Sequence, residues 1–242
     1  MFTSCGLALN VAGKASVQVA VDLTDEKEAL RIAGTIGSAC RSGELPADRV
    51  ILEAGTPLLK VCGVGIISKM KLAAPQVKLL ADMKTADVGR LEATLAYSSG
   101  ADVTTVLALA PRSTIRAVME AAVEMGREVS VDFLGVSLER TEPLLSEVVS
   151  TASEVGLPAG RIIISFHRGV DEGAATAEYF EKLSSIVSRL RAREPGIRVA
   201  IAGGLTPEAK RAVEAFFEPD IYVVGRYITA APSVGRILEF LT

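Results

Sequence analysis

Several residue types that would indicate other classes of protein are scarce in this chain. Tryptophan is absent, histidine occurs once, and the three cysteines form no CxxC pair. A scattered, odd number of cysteines argues against a disulfide framework and against a zinc site. We therefore predict that Cys5, Cys40 and Cys62 are reduced packing residues. Acidic and basic residues interrupt every apolar stretch before it reaches the ~18 residues of a membrane-spanning helix.

A strong excess of one charge is also lacking, because the formal net charge is only -3. This balance gives no general attraction to nucleic acid or to an anionic membrane, so we expect a small-molecule ligand. Apolar residues make up 49% of the chain and charged residues 23%, which suits a globular protein with a large core. The opening residues lack the basic start of a signal peptide, and we expect a cytoplasmic location.

Eight short β-branched runs alternate with amphipathic segments along the 242 residues. This alternation is typical of repeated βα units and a parallel sheet. The predicted strands are 17–23, 50–54, 77–83, 102–107, 128–134, 161–167, 198–203 and 220–225. Eight regular units without a dinucleotide-binding glycine fingerprint favour closure over an open doubly wound sheet. The sequence therefore predicts an α/β fold, the (β/α)₈ TIM barrel.

The ends of the helical segments and the absence of linkers define the domain. A cap residue before an acid opens a helix at 24–26, and threonine, proline and glutamate open another at 206–208. The last helix is predicted near 234–241. No proline-rich linker, charge block or low-complexity stretch divides the chain. We predict a single domain over 1–242, with 1–15 as an N-terminal extension.

Charged side chains lie at the ends of the predicted strands, where parallel barrels place their active sites. These strand-end residues are Asp22, Glu53, Asp82, Lys84, Asp132 and His167. Asp82 and Lys84 are two positions apart on one strand, so both are predicted to point into the barrel mouth. Burial of several acids with a lysine is costly unless they pair, bind metal or meet a charged ligand. A functional cluster is therefore predicted.

The residue types in this cluster suit the stabilisation of an enediolate. Nearby carboxylates keep a lysine charged, which favours an oxyanion-stabilising role for Lys84 over a Schiff-base role. The carboxylates of Glu53 and Asp82 could hold Mg²⁺. The imidazole of His167 is suited to proton transfer near neutral pH.

Glycines at two later strand ends predict a phosphate site. Gly203 and Gly204 follow the seventh predicted strand, and Gly225 with Arg226 follows the eighth. Many barrels hold a phosphate group at this position with backbone N–H groups and an arginine. We therefore expect a phosphorylated substrate.

The segment 82–87, Asp-Met-Lys-Thr-Ala-Asp, matches the DxKxxD motif of the orotidine 5'-monophosphate decarboxylase suprafamily, and the resemblance extends along nearly the whole barrel. Within the suprafamily, the sequence most resembles the 3-hexulose-6-phosphate synthase family. The matching segments are 53–58, 81–89, 100–102, 105–107, 114–115, 202–204 and 225–226, with Asp132. The orotidylate decarboxylases lack the Glu-x-Gly-Thr-Pro segment and carry Ile-Pro in place of Val88 and Gly89.

This resemblance implies a lyase that joins formaldehyde to ribulose 5-phosphate through a Mg²⁺-stabilised enediolate. By motif match, Glu53 and Asp82 would bind Mg²⁺, and Lys84 and Asp22 would contact the reacting oxygens. His167 would move the proton at C1. The substrate contacts would come from Thr56, Asp132, Gly203, Gly204, Gly225 and Arg226. A homodimer is also implied, with Asp87 completing the site of the neighbouring subunit.

The sequence departs from the synthase family after the sixth strand, where His167 is followed by Arg168 rather than by valine. An arginine here resembles 3-keto-L-gulonate 6-phosphate decarboxylase, so Arg168 is predicted to contact substrate. If Arg168 turns inward beside His167, decarboxylation is favoured, and if it turns outward, the aldol reaction is favoured. Two further candidate functions are those of orotidine 5'-monophosphate decarboxylase and of a non-catalytic sugar-phosphate binding barrel.

Overall fold

The computed structural model describes residues 15–169 and 176–242. Eight parallel strands form a closed barrel in which each strand pairs with the next and the last pairs with the first. The strands are β1 (Ser16–Val21), β2 (Val50–Ala54), β3 (Lys78–Thr85), β4 (Val103–Leu107), β5 (Glu128–Asp132), β6 (Ile162–His167), β7 (Arg198–Ala202) and β8 (Ile221–Val224). The predicted TIM barrel is confirmed. Residues 1–14 of the predicted extension, including Cys5, lie outside the described residues.

Ten α-helices occur in the described ranges. They are α1 (Glu26–Ser42), α2 (Thr56–Cys62), α3 (Gly65–Ala73), α4 (Gly89–Ser98), α5 (Arg112–Met125), α6 (Leu138–Val155), α7 (Ala177–Arg193), α8 (Pro207–Glu214), α9 (Arg226–Thr229) and α10 (Val234–Leu238). The predicted starts of α1 and α8 are confirmed, because Asp25 and Thr206 accept backbone N–H groups at these ends. Two helices instead of one follow β2, since Gly63 with φ 68° ends α2. The last helix is shorter than expected.

Side chains on the strands alternate between two apolar regions. A small layer inside the barrel consists of Ile51, Leu80, Val103, Ile163, Ala200 and Ile221. A much larger core fills the space between the barrel and the helices. Glu53, Asp82 and Thr105 each lie two positions after a residue of the inner layer and therefore face inward. The inner layer thus closes the lower part of the barrel and leaves polar groups above it, at the C-terminal mouth.

The two halves of the barrel share local features. Segments 45–53 (LPADRVILE) and 157–165 (LPAGRIIIS) match, and each forms a 3₁₀ turn followed by a strand. Asp102 before β4 accepts the N–H of Leu79 at 2.9 Å, and Asp220 before β8 accepts the N–H of Val199 at 2.7 Å. Strands β1–β4 therefore correspond to β5–β8 in order.

Cys40 and Cys62 were both predicted to be reduced packing residues. Cys40 and Cys62 are free thiols that pack, partly buried, against the outer core. Across 15–169 and 176–242, none of the helices combines the length and the apolar character needed to cross a membrane.

The contact between α1 and α3 depends on a glycine. A Cβ atom at Gly37 would lie 2.3 Å from the carbonyl oxygen of Ala73 and 2.9 Å from the Cα of Ala74. Both neighbours are backbone atoms, which cannot turn aside as the end of a side chain can. Gly37 therefore allows the two helices to approach closely.

We predict that Gly37→Ala lowers the free energy of unfolding by about 1–3 kcal/mol, because the added methyl group overpacks a backbone contact. Gly34→Ala is the matched control, since it lies on the same helix and a methyl group added there would meet no heavy atom within 4 Å. The control is expected to gain up to about 1 kcal/mol from the helix propensity of alanine. Urea unfolding measures both, and a Gly37→Ala variant as stable as the control would contradict the close packing.

Candidate active site

The ammonium group of Lys84 is the centre of the charged cluster at the mouth. Its Nζ donates to Asp82 Oδ2 at 2.6 Å and to Asp132 Oδ2 at 3.2 Å. The two aspartates are only 5% and 3% exposed. Burial disfavours the charged ammonium, but the carboxylates of Asp82 and Asp132 outweigh it and raise the pKa of Lys84. Lys84 is therefore a fixed cation between β3 and β5.

His167, at the end of β6, contacts the carboxylate of Asp132, which also pairs with Lys84. Its Nδ1 is 3.1 Å from Asp132 Oδ2. Burial opposes ionisation of Asp132, but the hydrogen bond and charge of His167, together with Lys84, lower the pKa of this carboxyl group. An ionised carboxylate only accepts hydrogen bonds, so Nδ1 carries the proton and Nε2 is the basic nitrogen of the neutral ring.

Glu53 on β2 is a buried carboxyl group beside the cluster. It is 4% exposed, and Gln18 Nε2 donates to its Oε2 at 2.6 Å. Desolvation, followed by the charges of Asp82 and Asp22, raises the pKa of Glu53 well above its ordinary value. Unless a cation binds nearby, this environment favours the neutral, protonated form of Glu53.

Asp22 follows β1 and links the cluster to the opposite side of the mouth. A Cβ atom at Gly55 would lie 2.2 Å from Asp22 Oδ1, which explains the glycine after β2. Although Asp22 is open to solvent on one side, partial desolvation and the charge of Asp82 raise its pKa. Lys84, His167 and Arg226 oppose this shift. Asp22 is therefore within electrostatic reach of both the cluster and the end of β8.

The donor set fits a hard divalent cation. Four carboxylates, those of Asp22, Glu53, Asp82 and Asp132, surround one lysine and one histidine, so negative charge is in excess. Within the described residues, no three His, Cys, Asp or Glu side chains converge as a complete set of metal ligands. Mg²⁺ commonly takes one or two protein carboxylates and completes its shell with substrate and water oxygens. Glu53 and Asp82, on adjacent strands, fit that arrangement.

The backbone of β3 is strained where it carries the cluster. Lys84 has φ 45°, a left-handed conformation that costs a non-glycine residue about 1–2 kcal/mol. The register between β3 and β4 shifts between Ala81 and Thr85. Thr105 Oγ1 accepts the Lys84 N–H at 2.7 Å and donates to Asp82 Oδ1 at 2.9 Å. The hydroxyl group thus joins the strained backbone to the carboxylate.

Thr56 and Asp87 were both predicted as site residues, but only Thr56 contacts the cluster. The Thr56 hydroxyl is within 2.7 Å of the Asp82 carbonyl oxygen and 2.8 Å of its Oδ2, so it supports Asp82 directly. Asp87 is exposed and accepts the N–H of Val88 at 2.7 Å. It forms no ion pair with a side chain in the described ranges. Within one chain, Asp87 is therefore outside the cluster.

The ends of β7 and β8 form the second part of the mouth. Gly203 and Gly204 have φ 112° and 61°, and a Cβ atom at Gly203 would lie 2.3 Å from the carbonyl oxygen of Arg168. Gly225 immediately precedes Arg226, the first residue of α9. A cavity of about 510 Å³ is lined by Arg168, Gly203, Gly204 and Arg226, by the acidic residue Glu208 and otherwise mainly by apolar side chains. Two guanidinium groups and glycine backbone suit an anionic ligand.

Arg168 turns away from His167. Alternation along β6 places Arg168 on the same side as Phe166, which packs in the outer core. Its guanidinium lies over the ring of Tyr179 on α7, with 5.1 Å between the carbon of the guanidinium and the ring centroid. The outward position is the one that favours the aldol reaction over decarboxylation.

Two inward-facing residues escaped the sequence-based selection of site residues. Gln18 holds Glu53, and Thr105 holds both Asp82 and the backbone of Lys84. Both are neutral, whereas charge at a strand end is the signal that predicted the other residues of the cluster. Their inward position on a strand was the available signal.

Comparison with known proteins places this site in a family. Residues 15–239 match the model of the Orotidine 5'-phosphate decarboxylase / HUMPS family. The chain belongs to this family. It is 34% identical over 189 residues to the 3-hexulose-6-phosphate synthase of Mycobacterium gastri, covering 78% of this chain and 80% of that protein. A crystal structure of a 3-hexulose-6-phosphate synthase superposes with a TM-score of 0.70 at 29% identity, covering 93% of this chain and 97% of that one.

Other family members are longer. The bifunctional enzyme Fae/Hps of Methanoregula boonei is 34% identical over 228 residues, which are 93% of this chain but 51% of that enzyme. The chain thus spans about half the length of the bifunctional relatives it matches.

The raised pKa of Glu53 predicts a pH-dependent cost to stability. Above about pH 4.5, the ordinary value for glutamate, the unfolded chain loses this proton while the folded protein retains it. Stability therefore falls as the pH rises toward the folded-state pKa. In chelator-treated protein, Glu53→Gln is expected to be more stable than wild type by about 0.5–2 kcal/mol at pH 8, with the difference shrinking toward about pH 4.

Urea unfolding at several pH values measures this difference. Glu181→Gln is the control, because Glu181 is exposed on α7. It is expected to follow the wild-type pH profile. A Glu53→Gln variant that is less stable than wild type at pH 8 would show that burial of the Glu53 carboxylate does not destabilise the folded protein.

Proposed function

We propose that this chain catalyses the aldol addition of formaldehyde to ribulose 5-phosphate, which yields 3-hexulose 6-phosphate. The observation that carries the proposal is the convergence of Lys84, Asp82, Asp132 and His167 at one barrel mouth. Identity of 34% to a 3-hexulose-6-phosphate synthase along most of its length supports it. The outward position of Arg168 supports the aldol reaction over the decarboxylation of 3-keto-L-gulonate 6-phosphate.

The phosphate group would bind at the ends of β7 and β8. Gly203, Gly204 and Gly225 offer backbone positions close to a ligand, and Arg226 adds a cation. Arg168 borders the same cavity and would contribute a second positive charge. The sugar would then extend across the mouth, past Asp22, toward Lys84 and His167.

The chain's own groups can perform the proton transfers. His167 Nε2 would take the proton from C1, and Asp132 would stabilise the resulting imidazolium. The Lys84 ammonium and the Asp22 carboxyl group would contact the enediolate oxygens. C1 then attacks the carbon of formaldehyde, the new carbon–carbon bond forms, and the formaldehyde oxygen gains the proton.

Glu53 and Asp82 are the residues that would hold Mg²⁺. When bound there, the ion would supply Lewis-acid stabilisation of negative charge on the substrate oxygens. The excess of carboxylates around Lys84 supports this assignment, because a divalent cation offsets their mutual repulsion.

The proposal predicts Mg²⁺-dependent consumption of formaldehyde in the presence of ribulose 5-phosphate. We expect turnover with Mg²⁺ and its loss on addition of a chelator. Release of CO₂ from 3-keto-L-gulonate 6-phosphate, and from orotidine 5'-monophosphate without metal, should be assayed in parallel. Lys84→Ala is expected to lose at least about 10²-fold in kcat, because it removes an electrostatic stabiliser.

The controls separate the candidate functions. Lys69→Ala changes an exposed lysine paired with Glu26 and should keep full turnover. CO₂ release without formaldehyde consumption would replace the aldol proposal with a decarboxylase. Binding of the sugar phosphate without any turnover would indicate a binding barrel. Full activity of Lys84→Ala would overturn the assigned site.

We also propose that two copies of the chain form a homodimer through the surface next to Asp87. Leu91 and Leu95, one turn apart on α4, are 57% and 42% exposed, and Val88, directly before α4, is 56% exposed. Exposed apolar side chains in such a stripe favour association. Asp87, at the start of this stripe and outside its own cluster, would then complete the site of the partner subunit.

Mixed dimers test whether Asp87 acts across the interface. Lys84→Ala and Asp87→Ala homodimers should both be nearly inactive. In a randomly mixed population, half of the dimers are hybrids with one intact site, so about a quarter of wild-type activity should return. Hybrids as inactive as their parents, or a fully active Asp87→Ala homodimer, would contradict the proposal.

A further inference from the structure

The pairing of β3 with β4 is irregular next to the charged cluster. Ala81 pairs with Thr104, and the next pair joins Thr85 to Val106. Strand β3 therefore advances four residues while β4 advances two. Thr105 is the one β4 residue opposite this bulge, which contains Asp82 and Lys84. Backbone groups in a bulge lose their regular ladder partners.

The hydroxyl group of Thr105 gives the Lys84 N–H a hydrogen-bond partner and also binds the side chain of Asp82. It accepts the N–H of Lys84 at 2.7 Å and donates its single proton to Asp82 Oδ1 at 2.9 Å. Thr105 is 5% exposed, so water cannot readily take over either hydrogen bond. The other oxygen of Asp82 remains directed at Lys84 Nζ, at 2.6 Å. One hydroxyl thus fixes the carboxylate and the backbone that carries the ammonium.

The second half of the barrel provides an internal comparison. Gly204 occupies the position that corresponds to Lys84, and their φ angles are 61° and 45°. The β7–β8 register places Val223 opposite Ala202, as Thr105 stands opposite Asp82. Where glycine adopts the left-handed conformation, the opposite residue has no hydroxyl. The hydroxyl occurs only in the half whose left-handed residue is the lysine of the cluster.

We infer that Thr105 is a positioning residue, which holds the bulge of β3 so that Asp82 and Lys84 present their charges together at the mouth. Its effect on turnover rests on the proposed function. Its effect on the backbone of Lys84 does not.

Isosteric substitution tests the inference. Thr105→Val keeps the shape of the side chain and removes the hydroxyl, so we expect kcat to fall by about 10–10²-fold, as small misplacements of catalytic groups do. Thr105→Ser should restore turnover to within about threefold, because it returns the hydroxyl. Thr104→Val is the matched control: Thr104 is equally buried on β4 but faces outward and donates only to the Ala81 carbonyl oxygen, at 3.3 Å. It should retain wild-type turnover.

A second readout does not depend on the reaction. Hydrogen exchange of the Lys84 amide, followed by NMR, should be at least about tenfold faster in Thr105→Val and unchanged in Thr105→Ser. If the wild type lacks aldol activity, the proposed function fails. The exchange rate of the Lys84 amide still tests whether Thr105 holds the backbone of Lys84. If the valine variant does not fold, Thr105→Ala is measured in the same way.

Three results would overturn the role of Thr105. The first is wild-type exchange at Lys84 in the valine variant. The second is a failure of serine to rescue. The third is an equal loss of turnover in Thr104→Val, which would indicate general packing of β4 rather than the hydroxyl group.

Discussion

The ion pairs of the partly buried Lys84 ammonium with Asp82 and Asp132 are the interactions on which the site depends. A charge removed from water is tolerated only when opposite charges compensate for the lost hydration, and Asp82 and Asp132 do so from two strands. The arrangement then fixes its neighbours. Asp132 stays ionised and holds His167, while Asp82 takes hydrogen bonds from Thr56 and Thr105. A single charge thus couples β3, β4, β5 and β6 with the start of α2.

The two halves of the barrel differ in the residues at corresponding strand ends. Asp22 directly follows β1, and Asp132 is the last residue of the corresponding strand β5, yet the pKa shifts of the two aspartates are opposite. Desolvation and Asp82 raise the pKa of Asp22, whereas His167 and Lys84 overcome burial and lower that of Asp132. At the end of the third strand of each half, one half carries the lysine and the other carries glycines beside the cavity lined by Arg168 and Arg226. Corresponding backbone positions with positive φ therefore hold a charged side chain in one half and no side chain in the other.

Much of this architecture was predictable because its signals are local. The alternation of β-branched runs with amphipathic segments depends on side-chain periodicity, which each segment carries by itself. The same periodicity places Asp82 and Lys84 on one face. The split helix after β2 was missed, because the sequence pattern did not reveal that Gly63 would adopt the conformation that ends α2. The catalytic, metal-binding and substrate-binding roles assigned to the site residues all remain predictions.

The sequence by itself determined the eight-stranded barrel and the set of charged strand ends, since repeated local patterns leave few ways to bury the apolar faces. Only the tertiary structure decided which partners those charges have. Arg168 turns outward because strand alternation carries it to the helix layer, where the ring of Tyr179 lies beneath it. Thr105 meets Lys84 because β3 bulges against β4. Such contacts join residues on different strands, and their geometry follows from register and closure rather than from any one segment.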